Sequence, residues 1–403
     1  MQNKLILVIN AGSSSLKFGL FRAADMTLIC EGLADALNSD DAKLKIKHLD
    51  QTNKDGLTTK NFNTDTHADA IEQLVDYLSP LYDLTQNLLG IGHRVVHGGE
   101  TFKCSTEIDQ RVLDQINTCI PLAPLHNPAN LEGIKLTTRH FPNVRQVAVF
   151  DTSFHQSMPP HAYIYALPYS LYSTHGIRRY GFHGSSHRYV ARKAAKLLGK
   201  DSDKVNLISA HLGNGASICA IKNGLSVDTS MGMTPLEGLV MGTRSGDIDP
   251  GIFDFMIAKG YSPAQISKTL NKQSGLLGIS EQSNDMRTLV ELADEGDQQC
   301  ALALDIFCFR LAKYIAAMLV SLPSLDALIF TGGIGENAAI VREKAIAHLS
   351  VINFHIVKEA NNSADNEAGA LISAEGSHKI LVIATNEEKM IVEDTLNIVA
   401  KSL

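Results

Sequence analysis

The chain has 403 residues, which is too long for one simple core and suits two domains. It is 44% hydrophobic and 20% charged, as globular proteins are, and its net charge of −7 without a long Lys/Arg block argues against a nucleic-acid partner. The N-terminal apolar run is too short for a signal peptide, no stretch is long enough to span a membrane, and six scattered cysteines lack zinc spacing. We therefore expect a cytoplasmic protein that binds neither membranes nor nucleic acid.

The first predicted element is a hairpin near the N-terminus. An apolar run from Leu5 ends in Asn10, small residues occupy 11–15, and a second apolar run carries Lys17. The backbone N–H groups and three hydroxyls of this turn suit a phosphate. Asn10 and Lys17 lie where they would reach a metal and a phosphoryl oxygen, although an ordinary hairpin without a ligand is the alternative.

Periodicity and turn residues predict the elements that follow, and their alternation indicates an α/β fold. In chain order these are a polar connection at 50–63, a helix at 66–79, a strand at 88–93, a helix opening at 129, a strand at 144–150, helices at 187–198 and 302–320, strands at 327–330 and 380–384, and a helix at 388–400.

A second hairpin, at 205–221, repeats the pattern of strand, small-residue turn and strand. Gly12 and Gly213 fall at matching places when the two hairpins are overlaid. The repeat is faint, but it suggests two related lobes that each contribute a hairpin to one ligand.

Polar residues recur at the ends of the apolar strands, where ligands bind in open α/β sheets. They are Asn10, Arg94, Asp151, Asn214, Thr331 and Glu387. Phosphoryl transfer requires positive charge around the moving group, and Arg94, Arg244 and His183 lie in glycine-containing segments that would present it. A surface ion pair is the alternative for each arginine. No P-loop, G-x-S-x-G or H-E-x-x-H motif occurs, whereas residues 333–338 match the dinucleotide pattern G-x-G-x-x-A.

Two long segments, Val8–Phe18 and Tyr180–His187, resemble signatures of the acetate kinase family. Supporting segments at 93–99, 211–215, 285–287, 332–337 and 385–388 extend the resemblance from end to end. This family belongs with sugar kinases, heat-shock chaperone ATPases and actin. The resemblance implies an α/β fold of two duplicated actin-like, or ribonuclease H-like, lobes with the active site in the cleft between them.

The resemblance also implies a role for each matching residue. Asn10 and Glu387 would bind Mg²⁺, with Mn²⁺ as an alternative ion. The catalytic positions would be Asp151, His183 and Arg244. The acyl substrate would contact Arg94, Val96, Leu125, Phe182 and Pro235. ATP or ADP would contact Lys17, His211, Leu212, Gly213, Asn214, Gly215, Asp285, Met286, Arg287, Gly333, Ile334, Gly335, Glu336 and Asn337.

The same resemblance implies a homodimer and two domains. Residues 1–150 would form the N-terminal lobe, with the C-terminal helix 388–403 packing back on it, and residues 151–387 would form the nucleotide-binding lobe. The two hairpins would then face each other across one nucleotide. Acetate is already a carboxylate at neutral pH and needs no general base, so we expect Asp151 to orient an arginine, the metal or its water.

The expected function is Mg²⁺-dependent, reversible phosphoryl transfer from ATP to acetate, giving acetyl phosphate and ADP. Three alternatives remain: a kinase for propionate or another short acid, a chaperone-like ATP-binding module, and a dehydrogenase that uses residues 333–338. Glu387 lies near the end of the sequence, which leaves no room for the peptide-binding domain that a chaperone requires.

Overall fold

The computed structural model describes residues 3–49 and 59–401. Its described residues divide into two compact units, residues 3–153 with 386–401 and residues 154–385. Within the described ranges, no helix combines the length and the apolar character that crossing a bilayer requires.

The first unit is built on one mixed sheet. Its strands are β1 (Leu5–Ala11), β2 (Leu16–Arg22), β3 (Leu28–Asp35), β4 (Lys43–His48), β5 (Thr59–Asn63), β6 (Leu88–Val95), β7 (Thr106–Glu107) and β8 (Gln146–Phe150). They lie in the order β5-β4-β3-β2-β1-β6-β8-β7. Strands β1 to β5 pair antiparallel in succession, β1–β6 and β6–β8 pair parallel, and β7 pairs antiparallel with β8.

Helices cover this sheet. They are α1 (His67–Tyr82), α2 (Leu84–Asn87), α3 (Gln110–Thr118), α4 (Asn127–His140) and the C-terminal helix (Glu387–Ala400). Thr66 caps α1 in a reciprocal capping box with Asp69. The C-terminal helix approaches β6 closely because Gly92 has no side chain, and a Cβ there would lie 2.5 Å from side-chain atoms of Ile391 and Thr395.

The second unit is built on another mixed sheet. Its strands are β9 (Leu207–Leu212), β10 (Ala216–Lys222), β11 (Leu225–Thr229), β12 (Ala327–Thr331), β13 (Ala370–Leu371) and β14 (Ile380–Val382), in the order β11-β10-β9-β12-β14-β13. Its helices are α5 (Pro160–Tyr163), α6 (Tyr169–His175), α7 (Gly184–Leu197), α8 (Gly251–Ala258), α9 (Pro263–Lys272), α10 (Gly275–Ser280), α11 (Met286–Asp294), α12 (Gln298–Met318), α13 (Gly332–Asn337), α14 (Ala339–Ala347) and α15 (Lys358–Asn362). Short 3-10 turns occupy Ile120–Leu122 in the first unit, Ser153–Ser157 where the first unit ends, and Leu319–Ser321 and Ser350–Ile352 in the second unit.

The two sheets share one central topology. The order β3-β2-β1-β6-β8 in the first unit matches β11-β10-β9-β12-β14 in the second, with the same antiparallel and parallel neighbours. Gly12 and Gly213 each follow the last residue of the first hairpin strand, and their N–H groups donate to Ser15 and Gly215 across the turn (N···O 2.7 and 3.0 Å). The predicted α/β class and the duplication are therefore confirmed.

Several predicted boundaries shift for identifiable reasons. The helix expected at 129 begins at Asn127, because Pro128 suits the first turn of a helix. The long helix expected at 302 begins at Gln298, where the Asp297 side chain caps the N–H groups of the first turn. The polar connection expected at 50–63 is wrong for 59–63, which form the edge strand β5, and polar residues are common on sheet edges. Residues 50–58 lie outside the described residues.

Candidate active site

An arginine–carboxylate pair lies at the strand ends of the first unit. Strands β6 and β8 are parallel neighbours, so Arg94 near the end of β6 and Asp151 directly after β8 reach the same sheet edge. Arg94 donates from Nε to Asp151 Oδ1 (3.0 Å) and from Nη2 to Oδ2 (2.7 Å). The Asp151 side chain is 4% exposed and that of Arg94 is 23% exposed. The fork engages two of the five guanidinium N–H donors, so Arg94 keeps donors for an anionic ligand.

Burial and charge act on this pair in opposite directions. Burial alone would lower the pKa of the Arg94 guanidinium, but the charges of Asp151 and Glu387 outweigh it and raise that pKa. Burial raises the pKa of Asp151 above its usual range, and the Arg94 guanidinium opposes that rise. Because a guanidinium stays charged at accessible pH, Arg94 is a permanent cation with a fixed orientation.

Two carboxylates open the C-terminal helix, which packs against β1, and Asn10 and Lys17 lie on the paired strands β1 and β2. Asn10 lies near the end of β1, paired in register with the exposed Lys17 of β2. Glu387 and Glu388 open the helix, and a Cβ on Gly19 would lie 2.9 Å from the Glu388 carboxylate. Burial raises the pKa of Glu388, and Lys17 opposes this shift.

The donor chemistry of Asn10 and Glu387 fits Mg²⁺. An amide oxygen and a carboxylate are hard ligands, and Mg²⁺ in nucleotide sites commonly takes one or two carboxylates together with substrate phosphates. Within the described ranges, no cluster of three His, Cys, Asp or Glu side chains would hold a metal ion by itself.

Two side chains that the sequence analysis missed fix the first hairpin turn. The Asn130 side chain on α4 donates to the Ala11 carbonyl (2.7 Å) and accepts from the Val96 N–H (3.0 Å). The His67 Nε2 donates to the Gly12 carbonyl (2.7 Å). These bonds tie the turn after β1 to the segment after β6. No local pattern marks such residues, because they act across about 30 to 120 positions of sequence.

In the second unit, Arg244 and His183 meet over the second hairpin turn. A Cβ on Gly215 would lie 3.5 Å from Arg244 Nη1 and 3.6 Å from His183 Nε2. Arg244 Nη1 also donates to the Pro235 carbonyl (2.9 Å), and burial lowers its pKa without removing its charge. His183 precedes α7 in the left-handed region (φ +56°), a conformation that is uncommon outside glycine and is concentrated at functional sites. The two side chains can donate to one anion.

A cavity of about 570 Å³ opens beside this turn and has a size usual for small-molecule sites. The predicted nucleotide residues that line it are Gly213, Asn214, Asp285, Met286, Arg287, Gly333, Ile334 and Asn337. Ala338, the last residue of the dinucleotide pattern, also lines it, and the lining residues that the sequence did not indicate are Asn284, Val290, Glu291, Ala339 and Ile340. A Cβ on Gly333 would meet no protein atom within 4 Å, so this glycine leaves room for a ligand rather than for a neighbouring chain segment.

The other predicted nucleotide residues of this unit do not line the cavity: His211, Leu212, Gly215, Gly335 and Glu336. The Glu336 carboxylate instead accepts hydrogen bonds from the N–H groups of Gly332 (2.8 Å) and Thr385 (3.0 Å), which ties α13 to the segment after β14. Buried Arg342 holds the far end of α13 by donating to the carbonyls of Gly335 (2.8 Å) and Glu336 (3.0 Å). Lys17 belongs to the first unit.

The predicted acyl-substrate residues differ in exposure. Val96 and Phe182 are buried, Pro235 is partly exposed and Leu125 is 54% exposed. The backbone of Val96 is fixed by Asn130, and the carbonyl of Phe182 accepts from His155 Nε2 (2.9 Å). Val96 and Phe182 therefore have fixed positions, whereas Leu125 is free of tight packing.

Comparison with known proteins agrees with the architecture and the motifs. A family model described as the acetokinase family matches residues 5–393. An acetate kinase of Shewanella amazonensis is 51% identical over 403 residues, covering all of both chains. A propionate kinase structure from Francisella tularensis superposes with a TM-score of 0.92 at 46% identity, covering 98% of this chain and 99% of the other. The acetate kinase structure from Porphyromonas gingivalis superposes with a TM-score of 0.91 at 42% identity, covering 98% and 99%. The chain therefore belongs to the acetokinase family.

Proposed function

We propose that this protein catalyses reversible, Mg²⁺-dependent transfer of the γ-phosphoryl group of ATP to acetate. An oxygen of the acetate carboxylate attacks the γ-phosphorus in line, the bond to the β,γ-bridging oxygen breaks, and ADP leaves with that electron pair. No proton needs to be removed, because the carboxylate is ionised at neutral pH. The protein contributes positioning and charge stabilisation.

Each unit supplies a separate part of this chemistry. Arg94, held by Asp151, binds the acetate carboxylate, so Asp151 positions an arginine rather than accepting a proton. Arg244 and His183 donate to the oxygens of the moving phosphoryl group. Asn10 and Glu387 would hold Mg²⁺, for which Mn²⁺ could substitute, and a bound ion would offset negative charge on the phosphates.

ATP occupies the cavity beside Gly213. The adenosine lies between residues 285–287 and the glycines at 333–335, and Lys17 supplies a positive charge for the phosphates. The size of the cavity and the open space at Gly333 support this placement.

The observation that carries the proposal is the convergence of Arg244 and His183 over Gly215. Removing one preorganised donor from a developing charge usually costs roughly 10²–10³ in rate. We therefore expect losses of that order in kcat for Arg244→Ala and His183→Ala. Acetyl phosphate trapped with hydroxylamine, in reactions with and without ATP, measures the activity. Wild-type protein that forms no hydroxamate from acetate, or near-wild-type kcat in both variants, would refute the proposal.

Propionate is the second candidate acceptor, and the similarity to the Francisella tularensis propionate kinase favours it. An apolar pocket discriminates one methylene by only about 1–3 kcal/mol. We expect acetate to be the better substrate because Val96 and Phe182 are bulky and buried. The kcat/KM values for the two acids decide between them, and a wild-type preference for propionate would reverse the assignment.

We also propose that the protein is a homodimer located in the cytoplasm. Helix α8 supports the dimer, because it is strongly apolar yet none of its residues is buried, with Phe255 64% and Ile257 49% exposed. A second copy of the chain would cover this helix. Phe255→Asp should convert the dimer to monomer in sedimentation analysis, and an unchanged mass would place the interface elsewhere. All six cysteines are free thiols, which supports a reducing compartment.

A further inference from the structure

A chain of hydrogen bonds runs from His183 into the core of the second unit. His183 Nδ1 lies 2.9 Å from Ser217 Oγ, and the same oxygen lies 2.9 Å from His187 Nε2. His187 Nδ1 in turn lies 3.0 Å from Ser209 Oγ. His187, Ser209 and Ser217 are all fully buried. Each of these two imidazoles therefore contacts a hydroxyl on a buried sheet strand, which fixes the position of that hydroxyl.

The strand register explains why these groups meet. Ser217 pairs with His211 and Cys219 pairs with Ser209 between β10 and β9, so these four side chains lie on one face of the sheet. Helix α7 packs on that face and carries His187 one turn after His183, whose carbonyl accepts the His187 N–H (3.0 Å). The spacing of four residues places both rings on the same side of the helix, over Ser217.

Proton counting limits this chain to two arrangements. Burial lowers the pKa of His187 well below its ordinary value, so its ring is neutral and has one donor and one acceptor. The Ser217 hydroxyl carries one proton and two acceptor lone pairs, so it can donate to only one of the two rings at a time. Either His183 donates from Nδ1 towards the core, or Ser217 donates to His183 Nδ1 and His183 carries its proton on Nε2.

The surroundings of His183 Nε2 favour the second arrangement. That nitrogen and Arg244 Nη1 lie within 3.6 Å of one point, the Cβ position of Gly215. A proton on Nε2 gives two donors near this point, and a neutral imidazole supplies its donor without a second positive charge beside Arg244. A neutral His183 in the first arrangement would instead have a lone pair on Nε2, which repels a phosphate oxygen.

We propose that Ser217, supported by His187, holds His183 as the neutral tautomer with its proton on Nε2. Ser217 is thus a positioning residue: it touches neither substrate nor metal but determines which nitrogen of His183 can donate. This inference rests on the proposed phosphoryl transfer, since a donor at Nε2 is useful only where negative charge develops. The donor is in place before the reaction begins and requires no reorganisation.

Two measurements test the tautomer, and the first does not depend on activity. In wild-type protein labelled with ¹⁵N-histidine at neutral pH, we expect His183 Nε2 to show a directly bonded proton and Nδ1 to show none, with assignment by the missing signals in His183→Gln. A bonded proton on Nδ1, or on both nitrogens, would overturn the proposal even if the enzyme forms acetyl phosphate. Wild-type protein that shows the expected tautomer but phosphorylates no carboxylate would instead contradict the proposed function alone.

The second measurement compares matched variants. Ser217→Ala should lower kcat about 10- to 100-fold, the range found when the partner that orients a metal-ligating histidine is lost, while KM for ATP stays nearly unchanged. Ser217→Thr keeps the hydroxyl and should restore most of the lost kcat. The control is Tyr82→Phe, which removes a buried hydroxyl from another histidine, His48 Nδ1 (3.0 Å), in the first unit. Equal kcat losses in Ser217→Ala and Tyr82→Phe, or no rescue by a folded Ser217→Thr, would show that the contact is only structural.

Discussion

Replacing Asp151 with asparagine separates two roles for this residue. The amide of Asp151→Asn has nearly the same shape as the carboxylate but loses the charge. Only one of its atoms accepts hydrogen bonds, whereas the carboxylate accepts from Arg94 at both Nε (3.0 Å) and Nη2 (2.7 Å). The amide NH₂ group would face one guanidinium N–H, so Arg94 loses both a bond and its fixed orientation.

The size of the effect follows from the geometry. A hydrogen bond to a charged group contributes about 1.5–3 kcal/mol, and each 1.4 kcal/mol is tenfold in an equilibrium or rate constant. Arg94 is 23% exposed, so water compensates part of the loss. We expect kcat/KM for acetate to fall roughly 10- to 100-fold, mostly through KM for acetate, with KM for ATP nearly unchanged.

Steady-state kinetics over a range of pH measure this split. If Asp151 positions Arg94, the pH profile of Asp151→Asn keeps the shape of the wild-type profile while KM for acetate rises. If Asp151 accepts a proton, kcat falls by orders of magnitude and the acidic limb disappears, which would refute the positioning role. The control is Glu107→Gln, which weakens another fork between an arginine and a carboxylate. Glu107 accepts from Arg145, and the Glu107 side chain is 42% exposed. That variant should leave all kinetic constants unchanged.

Three further changes have definite expected outcomes. Gly333→Leu should fold normally, since a Cβ there meets no protein atom within 4 Å, but should raise KM for ATP at least about tenfold; an unchanged KM would remove this cavity from the nucleotide site. Burial lowers the pKa of His93 to about 4, so the unfolded chain binds more protons below pH 6.5 and stability falls by up to about 1.4 kcal/mol per pH unit as pH drops towards 4. In urea unfolding between pH 6.5 and 4, the free energy of unfolding should decline less in His93→Gln than in wild type. Parallel declines would show that protonation of His93 is not the cause. Val96→Ala should shift the ratio of kcat/KM values from acetate towards propionate, whereas an unchanged ratio with lower stability would mean that Val96 only packs.

The parts of the site that could be predicted from the sequence are those set by strand ends. Arg94 and Asp151 follow apolar runs, and because β6 and β8 are parallel neighbours, both side chains reach one sheet edge. The glycine-rich turn at 213–215 was also recognisable, because small residues between two apolar runs encode a turn locally. The edge strand β5 was not, because its alternation is weak and its side chains are largely polar.

Residues that support the site from a distance could not be predicted from the sequence. Asn130 joins Ala11 to Val96, and Arg342 holds the carbonyls that end α13. Their function depends on which segments the tertiary fold brings together, and an isolated asparagine or arginine on a helix has no pattern that distinguishes it from a surface residue. Buried polar groups need partners, so such residues become identifiable only when the hydrogen bonds are known.

The sequence repeat is faint although the topologies of the two sheets match, because equivalent positions carry residues with different tasks. Lys17 and Ser217 hold equivalent places, each the second residue of the returning hairpin strand, paired with Asn10 and His211 respectively. In the first unit this position carries an exposed cation; in the second it carries a buried hydroxyl that contacts His183. The first sheet thus presents the charge of Lys17 to solvent, whereas the second sheet orients the neutral donor His183 through the buried Ser217. Selection for different tasks at equivalent positions removes sequence identity but leaves strand order unchanged, because the order depends on the apolar pattern and not on the residues at the strand ends.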